Sequence, residues 1–167
     1  MKETIIIYGS TTGSCESVAN RIAEALGVAS TSVVSASNLT PELINSSTNL
    51  ILGSSTWGSG DLQDEWYDAI EIIKSSDLSE KTVAVFGCGD SCGFSATFCN
   101  AMYTLYEVAK AGGGHVIGSV STDGYTFDDS TSVVNGRFVG LALDEDNESD
   151  KTDVRIAMWV ESIKPEL

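Results

Sequence analysis

The sequence predicts an α/β fold, in which helices connect the strands of a five-stranded parallel sheet. Short apolar runs, such as residues 5–7 and 50–52, are bounded by small residues, which is typical of strands buried on both faces. Helical patterns follow these runs, and strands that alternate with helices form parallel sheets with right-handed crossovers. A chain of 167 residues has the length of one domain, and we expect residues 1–167 to form it.

The elements follow in order from the apolar spacing. Predicted strands cover residues 4–8, 30–35, 49–53, 82–87 and 115–120. The first helix is predicted at residues 14–26, and a short helical turn at 38–44. Three further helices are indicated by their apolar faces. These faces are formed by Leu62, Trp66, Ile70 and Ile73, by Phe98, Met102, Leu105 and Ala109, and by Ile156, Trp159, Val160 and Ile163. The polar segment 122–138 is followed by a second strand-like pattern at 138–143, so we expect an insertion that splits the fifth strand.

Composition limits the classes of partner. Nine Lys and Arg residues stand against 24 Asp and Glu, and the net charge of −15 argues against nucleic acid and anionic membranes. It fits a protein that meets basic partners. The apolar runs are too short to span a membrane, and the start of the chain lacks a signal-peptide pattern, so we expect a cytoplasmic location. The four cysteines form no zinc motif, and the alternative of an iron–sulfur site from Cys88, Cys92 and Cys99 has a spacing that matches no common pattern. We expect reduced thiols and no metal.

The loop at residues 10–15 lies between the first strand and the first helix, and it is the most informative segment. It carries four hydroxyls and a thiol but no basic side chain. Its backbone N–H groups and the positive end of the helix dipole favour a phosphate monoester. The glycine spacing fits neither a P-loop nor a dinucleotide fingerprint. A hydroxyl-rich helix cap without a ligand is the alternative.

Two further loops leave the same edge of the predicted sheet, at residues 55–61 and 88–94. The first offers Trp57 and the second offers Asp90 and Phe94, all beside glycines. Aromatic side chains on neighbouring loops could sandwich a planar ring, and glycine backbone could approach its edge closely. A phosphate and a flat ring, with few charged catalytic groups, indicate flavin mononucleotide (FMN) and a redox role.

The same segments resemble those of the flavodoxin family. Residues 10–14 match its phosphate loop Ser/Thr-x-Thr-Gly-x-Thr, and this sequence departs from that motif at Cys15. Residues 56–63 and 87–94 are similar to its two isoalloxazine loops. The split fifth strand with the 138–147 segment resembles the long-chain subgroup. The resemblance implies a doubly wound sheet of order 2-1-3-4-5 with helices on both faces. It also implies non-covalent FMN and one-electron transfer between redox proteins, by a chain that is not itself an enzyme. The basic redox partners would be a reductase donor and a low-potential acceptor, and we expect the chain to be a monomer.

The resemblance also implies the cofactor contacts. The expected contact residues are Ser10, Thr11, Thr12, Gly13, Ser14, Cys15, Thr56, Trp57, Gly58, Ser59, Gly60, Cys88, Gly89, Asp90, Phe94, Cys99 and Asp146. Trp57 and Phe94 would cover the two faces of the ring, and Asp146 would reach the ribityl hydroxyls. Phe94 stands where most relatives have Tyr, and Cys15 replaces a threonine hydroxyl by a weaker donor.

Two alternatives share this fold. An FMN-dependent NAD(P)H or quinone oxidoreductase stays open, since fold alone does not fix function. A signalling receiver domain needs clustered acidic residues after the first strand, where Tyr8 and Gly9 stand instead. An acidic rim is expected to steer basic partners, and its members are Asp61, Asp64, Glu65, Asp144, Glu145 and Asp146.

Overall fold

The computed structural model describes residues 3–10, 13–57 and 60–167. The strands are β1 (Thr4–Gly9), β2 (Val33–Ser35), β3 (Asn49–Trp57), β4 (Asp61–Leu62), β5 (Thr82–Cys88), β6 (His115–Ile117), β7 (Val120–Ser121), β8 (Val133–Val134), β9 (Arg137–Phe138) and β10 (Leu141–Leu143). The α-helices are α1 (Ser14–Leu26), α2 (Pro41–Ser46), α3 (Trp66–Lys74), α4 (Asn100–Ala111) and α5 (Thr152–Ile163).

The central sheet is parallel and has the strand order β10-β5-β3-β1-β2. With β10 as the fifth strand, this is the predicted order 2-1-3-4-5. Ile6 pairs with Ile51, and Ile51 pairs with Ala84, and all three side chains are fully buried. Such continuous apolar strands form because helices cover both faces of the sheet.

Two apolar layers lie on opposite faces of the sheet. One layer joins it to α1 and α5, and its members include Val18, Ile22, Leu26, Ile156, Trp159 and Val160. The other joins it to α3 and α4, and its members include Trp66, Ile70, Ile73, Met102 and Leu105. The predicted apolar faces are therefore buried. Two of their residues lie outside the helices, because Leu62 belongs to β4 and Phe98 precedes α4. None of the helices within the described ranges is long and apolar enough to cross a membrane.

The fifth strand is split, as predicted, but the insertion begins earlier than expected. β6 pairs with the first half of β5 and β10 with its second half. The predicted strand 115–120 ends at Ile117, because Gly118 adopts a positive φ of 89° and its carbonyl accepts the Trp159 indole N–H at 2.9 Å. The chain then forms the small antiparallel sheet β7-β9-β8, and the resumed strand begins at Leu141 rather than at residue 138.

An aromatic cluster attaches the insertion to the rest of the molecule. Phe98, which precedes α4, stacks on Phe127 with ring centroids 5.5 Å apart, and Tyr125 meets Phe138 at 4.8 Å. The Tyr125 hydroxyl donates to the Ala142 carbonyl oxygen at 2.7 Å. Insertion and sheet therefore share one core beside β10.

Three further boundaries differ from the prediction. β2 is reduced to Val33–Ser35, because residues 30–32 form a 3₁₀ turn. The short helix begins at Pro41, where the Thr40 hydroxyl accepts the Leu43 N–H at 3.3 Å. β3 continues to Trp57, because its last two residues pair with the antiparallel β4.

Candidate functional site

Three loops leave the same edge of the sheet, as their positions after β1, β3 and β5 predict. Gly9 pairs with Ser54, Ser54 with Gly87, and Ser55 with Cys88, so the three strands end side by side. Ligands of doubly wound sheets bind beyond the carboxyl ends of the strands. This edge is therefore the candidate site.

The first loop presents the open N-terminus of α1. Gly13 precedes the helix with a φ of 91°, and its N–H donates to the Ser10 hydroxyl at 3.0 Å. Gly13 has no side chain to cap the helix, and the first N–H groups of an α-helix lack intrahelical partners. Ser14 and Cys15 therefore contribute backbone donors at the positive end of the dipole. Thr11 and Thr12 lie outside the described residues.

The Cys15 side chain does not point as expected. Its thiol is fully buried in the layer beneath α1, where its sulfur lies 3.3 Å from the sulfur of Cys88. The prediction that this thiol acts as a weak phosphate donor is therefore wrong for the thiol, because the start of α1 turns that side of the helix towards the sheet. Only the backbone N–H of Cys15 stays a candidate donor. The Cys88 thiol likewise faces the core.

The second loop turns sharply between β3 and β4. Thr56 pairs with Leu62, and Gly60 has a positive φ of 107°. A Cβ atom at Gly60 would come within 2.8 Å of Asn100, so only glycine fits there. The Thr56 hydroxyl accepts the Ala101 N–H at 3.2 Å, which ties this loop to the start of α4. Gly58, Ser59 and the side chain of Trp57 lie outside the described residues.

The third loop is organised around Asp90. One carboxylate oxygen of Asp90 accepts the N–H groups of Cys92 and Gly93, at 3.0 and 2.8 Å, and the Asn147 amide at 2.8 Å. The hydrogen bond from Gly93, followed by the one from Asn147, lowers the pKa of Asp90. Phe94 closes the turn, with its N–H on the Asp90 carbonyl at 2.9 Å and 53% of its surface exposed.

Gly89 and Cys99 approach each other closely at the base of this loop. A Cβ atom at Gly89 would lie 2.9 Å from the Cys99 nitrogen. Cys99 adopts a φ of 54°, which is uncommon for a residue with a side chain. Its buried thiol donates to the Leu143 carbonyl at 3.7 Å, and burial raises its pKa well above the ordinary value. Cys99 can therefore meet a ligand only through its backbone.

The acidic segment after β10 has two different roles. Asp144 is fully buried, and it accepts the N–H groups of Ser91 and Asn147 at 3.2 and 3.0 Å as well as the Ser91 hydroxyl. Its predicted place in an exposed acidic rim is wrong, because these donors draw the carboxylate inwards. Asp146 is exposed, and partial desolvation, together with the neighbouring charges of Asp90 and Asp144, raises its pKa.

Asn147 and Ser91 also form the site, although they are not among the residues that the sequence predicts for it. Asn147 joins Asp90 to Asp144 and thereby connects the third loop to the end of β10. The run of acidic residues at 144–146 was the available signal, since carboxylates so close together need donors between them.

These features fit a phosphate-bearing planar cofactor. The N-terminus of α1 offers backbone N–H donors to a phosphate, and the glycines of the other two loops let their backbones pack closely against Asn100 and Cys99 at the same edge. Phe94 offers an exposed aromatic face beside them. Nearby carboxylates and the absence of basic side chains in the first loop make the surroundings electronegative.

Comparison with known proteins places the chain in a family. The family model described as Flavodoxin matches residues 6–159. The flavodoxin of Helicobacter pylori is 43% identical over 159 residues, which cover 95% of this chain and 94% of that protein. That of Nostoc sp. is 42% identical over 167 residues, which cover 99% and 97%. The structure of Fusobacterium nucleatum flavodoxin bound to flavin mononucleotide superposes with a TM-score of 0.91 at 31% identity, covering 100% of this chain and 99% of that one. The chain therefore belongs to the flavodoxin family.

Proposed function

We propose that this chain is a low-potential one-electron carrier that binds FMN non-covalently and passes electrons between redox proteins. The observation that carries the proposal is the joint placement of the α1 N-terminus, which begins at a glycine without a capping side chain, two glycine-containing loops and the exposed Phe94 at one sheet edge. The related Fusobacterium nucleatum structure, which is bound to flavin mononucleotide, supports it.

We assign the phosphate to the first loop. Ser10, Gly13, Ser14 and Cys15 would hold it through hydroxyls and backbone N–H groups, together with Thr11 and Thr12. The Ser10 hydroxyl, which accepts the Gly13 N–H, keeps its own proton to donate. The Thr56 hydroxyl also keeps its proton, while it accepts the N–H of Ala101.

The remaining contacts surround the ring. Phe94 and Trp57 would stack on its faces, and Asp146 would reach the ribityl chain. Backbone N–H and C=O groups would meet the polar edge of the ring, and they belong to Gly58, Ser59, Gly60, Cys88, Gly89, Asp90 and Cys99. FMN bound there supplies one-electron chemistry. Asp90, Asp146 and the overall charge of −15 disfavour added negative charge, so the electron is held at low potential.

A titration tests the cofactor and the role of the first loop together. We expect the FMN-free protein to quench FMN fluorescence at one equivalent, and acid precipitation of the holoprotein to release one equivalent of yellow chromophore. Riboflavin, which lacks only the phosphate, is the matched control and should bind much more weakly. Failure to bind FMN contradicts the proposal, and equal binding of riboflavin contradicts the phosphate assignment.

A second assay separates a carrier from an oxidoreductase. The relatives named above are flavodoxins, which favours a carrier over an FMN-dependent NAD(P)H or quinone oxidoreductase. The FMN-loaded protein should oxidise NADPH only after a basic reductase is added. Turnover of NADPH or a quinone by the chain alone would contradict the proposal. We propose that the partners are basic proteins, namely a reductase donor and a low-potential acceptor. We also propose that the chain is a monomer in the cytoplasm, and light scattering tests the monomeric state.

A further inference from the structure

Two buried thiols lie in contact beneath the first loop. The sulfurs of Cys15 and Cys88 are 3.3 Å apart, although 73 residues separate them in the chain. Cys15 is the second residue of α1, and Cys88 is the last residue of β5. The pair therefore joins the start of the helix that carries the first loop to the strand that carries the third.

Cys99 is less well placed to react with Cys88. Cys88 belongs to the apolar layer under α1 and α5, whereas Cys99 belongs to the opposite layer. The Cys99 thiol is already directed at the Leu143 carbonyl, at 3.7 Å. Cys92 is exposed on the third loop. Of the four cysteines, Cys15 and Cys88 form the contacting pair.

We propose that Cys15 and Cys88 are a redox-sensitive dithiol that a hydroperoxide converts into a disulfide, and that this disulfide weakens binding at the first loop. The second part rests on the proposed FMN function. A disulfide bond is about 2.05 Å long, so the sulfurs need to approach by roughly 1 Å. The movement would draw in the first turn of α1, whose N–H groups we assign to the phosphate.

The chemistry balances with hydrogen peroxide as the oxidant. Cys88 exposes 6% of its residue surface and Cys15 exposes none, so we assign the first reaction with peroxide to Cys88. Its sulfur attacks one peroxide oxygen, the O–O bond breaks, and the thiol proton leaves with the other oxygen as water. The Cys15 sulfur then attacks the Cys88 sulfenic acid, and the S–OH bond breaks with release of a second water. Two thiols lose two electrons, and one peroxide becomes two waters.

The surroundings also explain why the pair stays reduced at rest. The hydrogen bond with Cys15, followed by burial, raises the pKa of Cys88 well above its ordinary value. Because the thiolate is the reactive form, oxidation should be slow at neutral pH and faster in alkaline solution. Once the sulfenic acid forms, the neighbouring Cys15 thiol competes with further oxidation.

Peptide mapping of the folded protein tests the cross-link. The purified protein is treated with hydrogen peroxide, then unfolded and alkylated, and its thiols and linked peptides are assigned by mass spectrometry. We expect the Cys15–Cys88 link in the wild type and in Cys92→Ser, the control that removes an exposed thiol. Cys15→Ser and Cys88→Ser should lack it. A Cys88–Cys99 link, or a link that forms only in denaturant, would overturn the proposal.

FMN titration tests the consequence. We expect the oxidised protein to bind FMN about fivefold more weakly than the same sample after reduction, comparable to the loss of one hydrogen bond. Cys15→Ser treated with peroxide should show no such change. Equal affinities of the cross-linked and reduced forms would overturn the switch. Absence of FMN binding in both forms would contradict the proposed function instead, while the mapped cross-link still decides the dithiol.

Discussion

At the scale of single residues, two phenylalanines near the third loop differ in exposure and therefore in role. Phe94 exposes 53% of its surface, whereas Phe98 exposes 1% and lies within the aromatic cluster. An exposed aromatic side chain contributes little to folding, and its exposed face is available to a planar ligand. Phe94 is therefore expected to contribute to ligand binding and little to the stability of the fold.

We predict that Phe94→Ala weakens FMN binding by about 1 kcal/mol, which is typical of one aromatic stacking contact. Its free energy of unfolding should change by less than about 0.5 kcal/mol, as for most surface substitutions. Phe98→Ala is the matched control and should cost roughly 3–5 kcal/mol of stability. Urea unfolding and FMN titration measure the two effects. A large loss of stability in Phe94→Ala would contradict this division.

Asp90 makes the stability of the third loop depend on pH in the acidic range. Its folded pKa is lowered, so its stabilising hydrogen bonds are fully present above its ordinary pKa of about 4 and are lost as the pH falls through the lower folded value. We predict that wild-type stability falls more steeply than that of Asp90→Asn below about pH 4. Urea midpoints at several pH values measure the difference, and parallel curves would exclude a contribution from Asp90.

At the scale of elements, the insertion between β6 and β10 behaves as part of the core. Burial raises the pKa of Tyr125 to about 12, although the Arg155 guanidinium, 3.9 Å from its ring centroid, opposes the shift. The neutral hydroxyl donates to Ala142 in β10. Ionisation of Tyr125 would therefore break the contact that joins the insertion to the sheet.

We predict that Tyr125→Phe is less stable than the wild type at neutral pH by about 1 kcal/mol, the value of one buried hydrogen bond. A raised folded pKa means that wild-type stability is lost as the pH rises from about 10 towards 12, by up to about 1.4 kcal/mol per pH unit. The difference between the two proteins should therefore shrink as the pH rises above about 10 and reverse in sign as the pH approaches 12. Tyr67→Phe, at an exposed tyrosine, is the control. A gap that is independent of pH would refute the coupling.

At the scale of the whole molecule, only some of the carboxylates behind the net charge of −15 are exposed where a partner could meet them. Asp144 is buried, and Glu145 is paired with Arg21 at 2.9 Å, so neither offers a free charge to a partner. Asp61, Asp64 and Asp146 are exposed around the candidate site. Docking of a basic protein should therefore depend on these three.

We predict that electron transfer from the reduced, FMN-loaded protein to a basic c-type cytochrome slows as salt is raised, because ions screen the attraction. The double variant Asp61→Lys, Asp64→Lys should be slower at low salt and less sensitive to salt. The control Glu24→Lys, Glu161→Lys has the same net charge, but its changes lie in the last turns of α1 and α5, away from the loops. Stopped-flow rates measure this. Equal rates for the two variants would mean that only the total charge matters.

The sequence alone determined the layout of this protein. Strand and helix patterns depend on local periodicity, so the parallel α/β sheet, the bounds of α1 and the meeting of three loops at one edge followed from residue spacing, while the strand order followed from the family resemblance of the sequence. The residue types in those loops also predicted a phosphate and a flat ring before any contact was known, because glycines and hydroxyls restrict what can bind there.

Only the tertiary structure decided where individual side chains point. Cys15 turns to Cys88, Thr56 to the start of α4, and Asp144 inwards to Ser91, and each of these partners is distant in sequence. The end of β6 likewise depends on Trp159, some forty residues further along the chain. A side chain at the end of an element has two or more allowed directions, and the partner supplied by another element selects one. Local sequence carries no information about that partner, so these contacts emerge only when the layers pack.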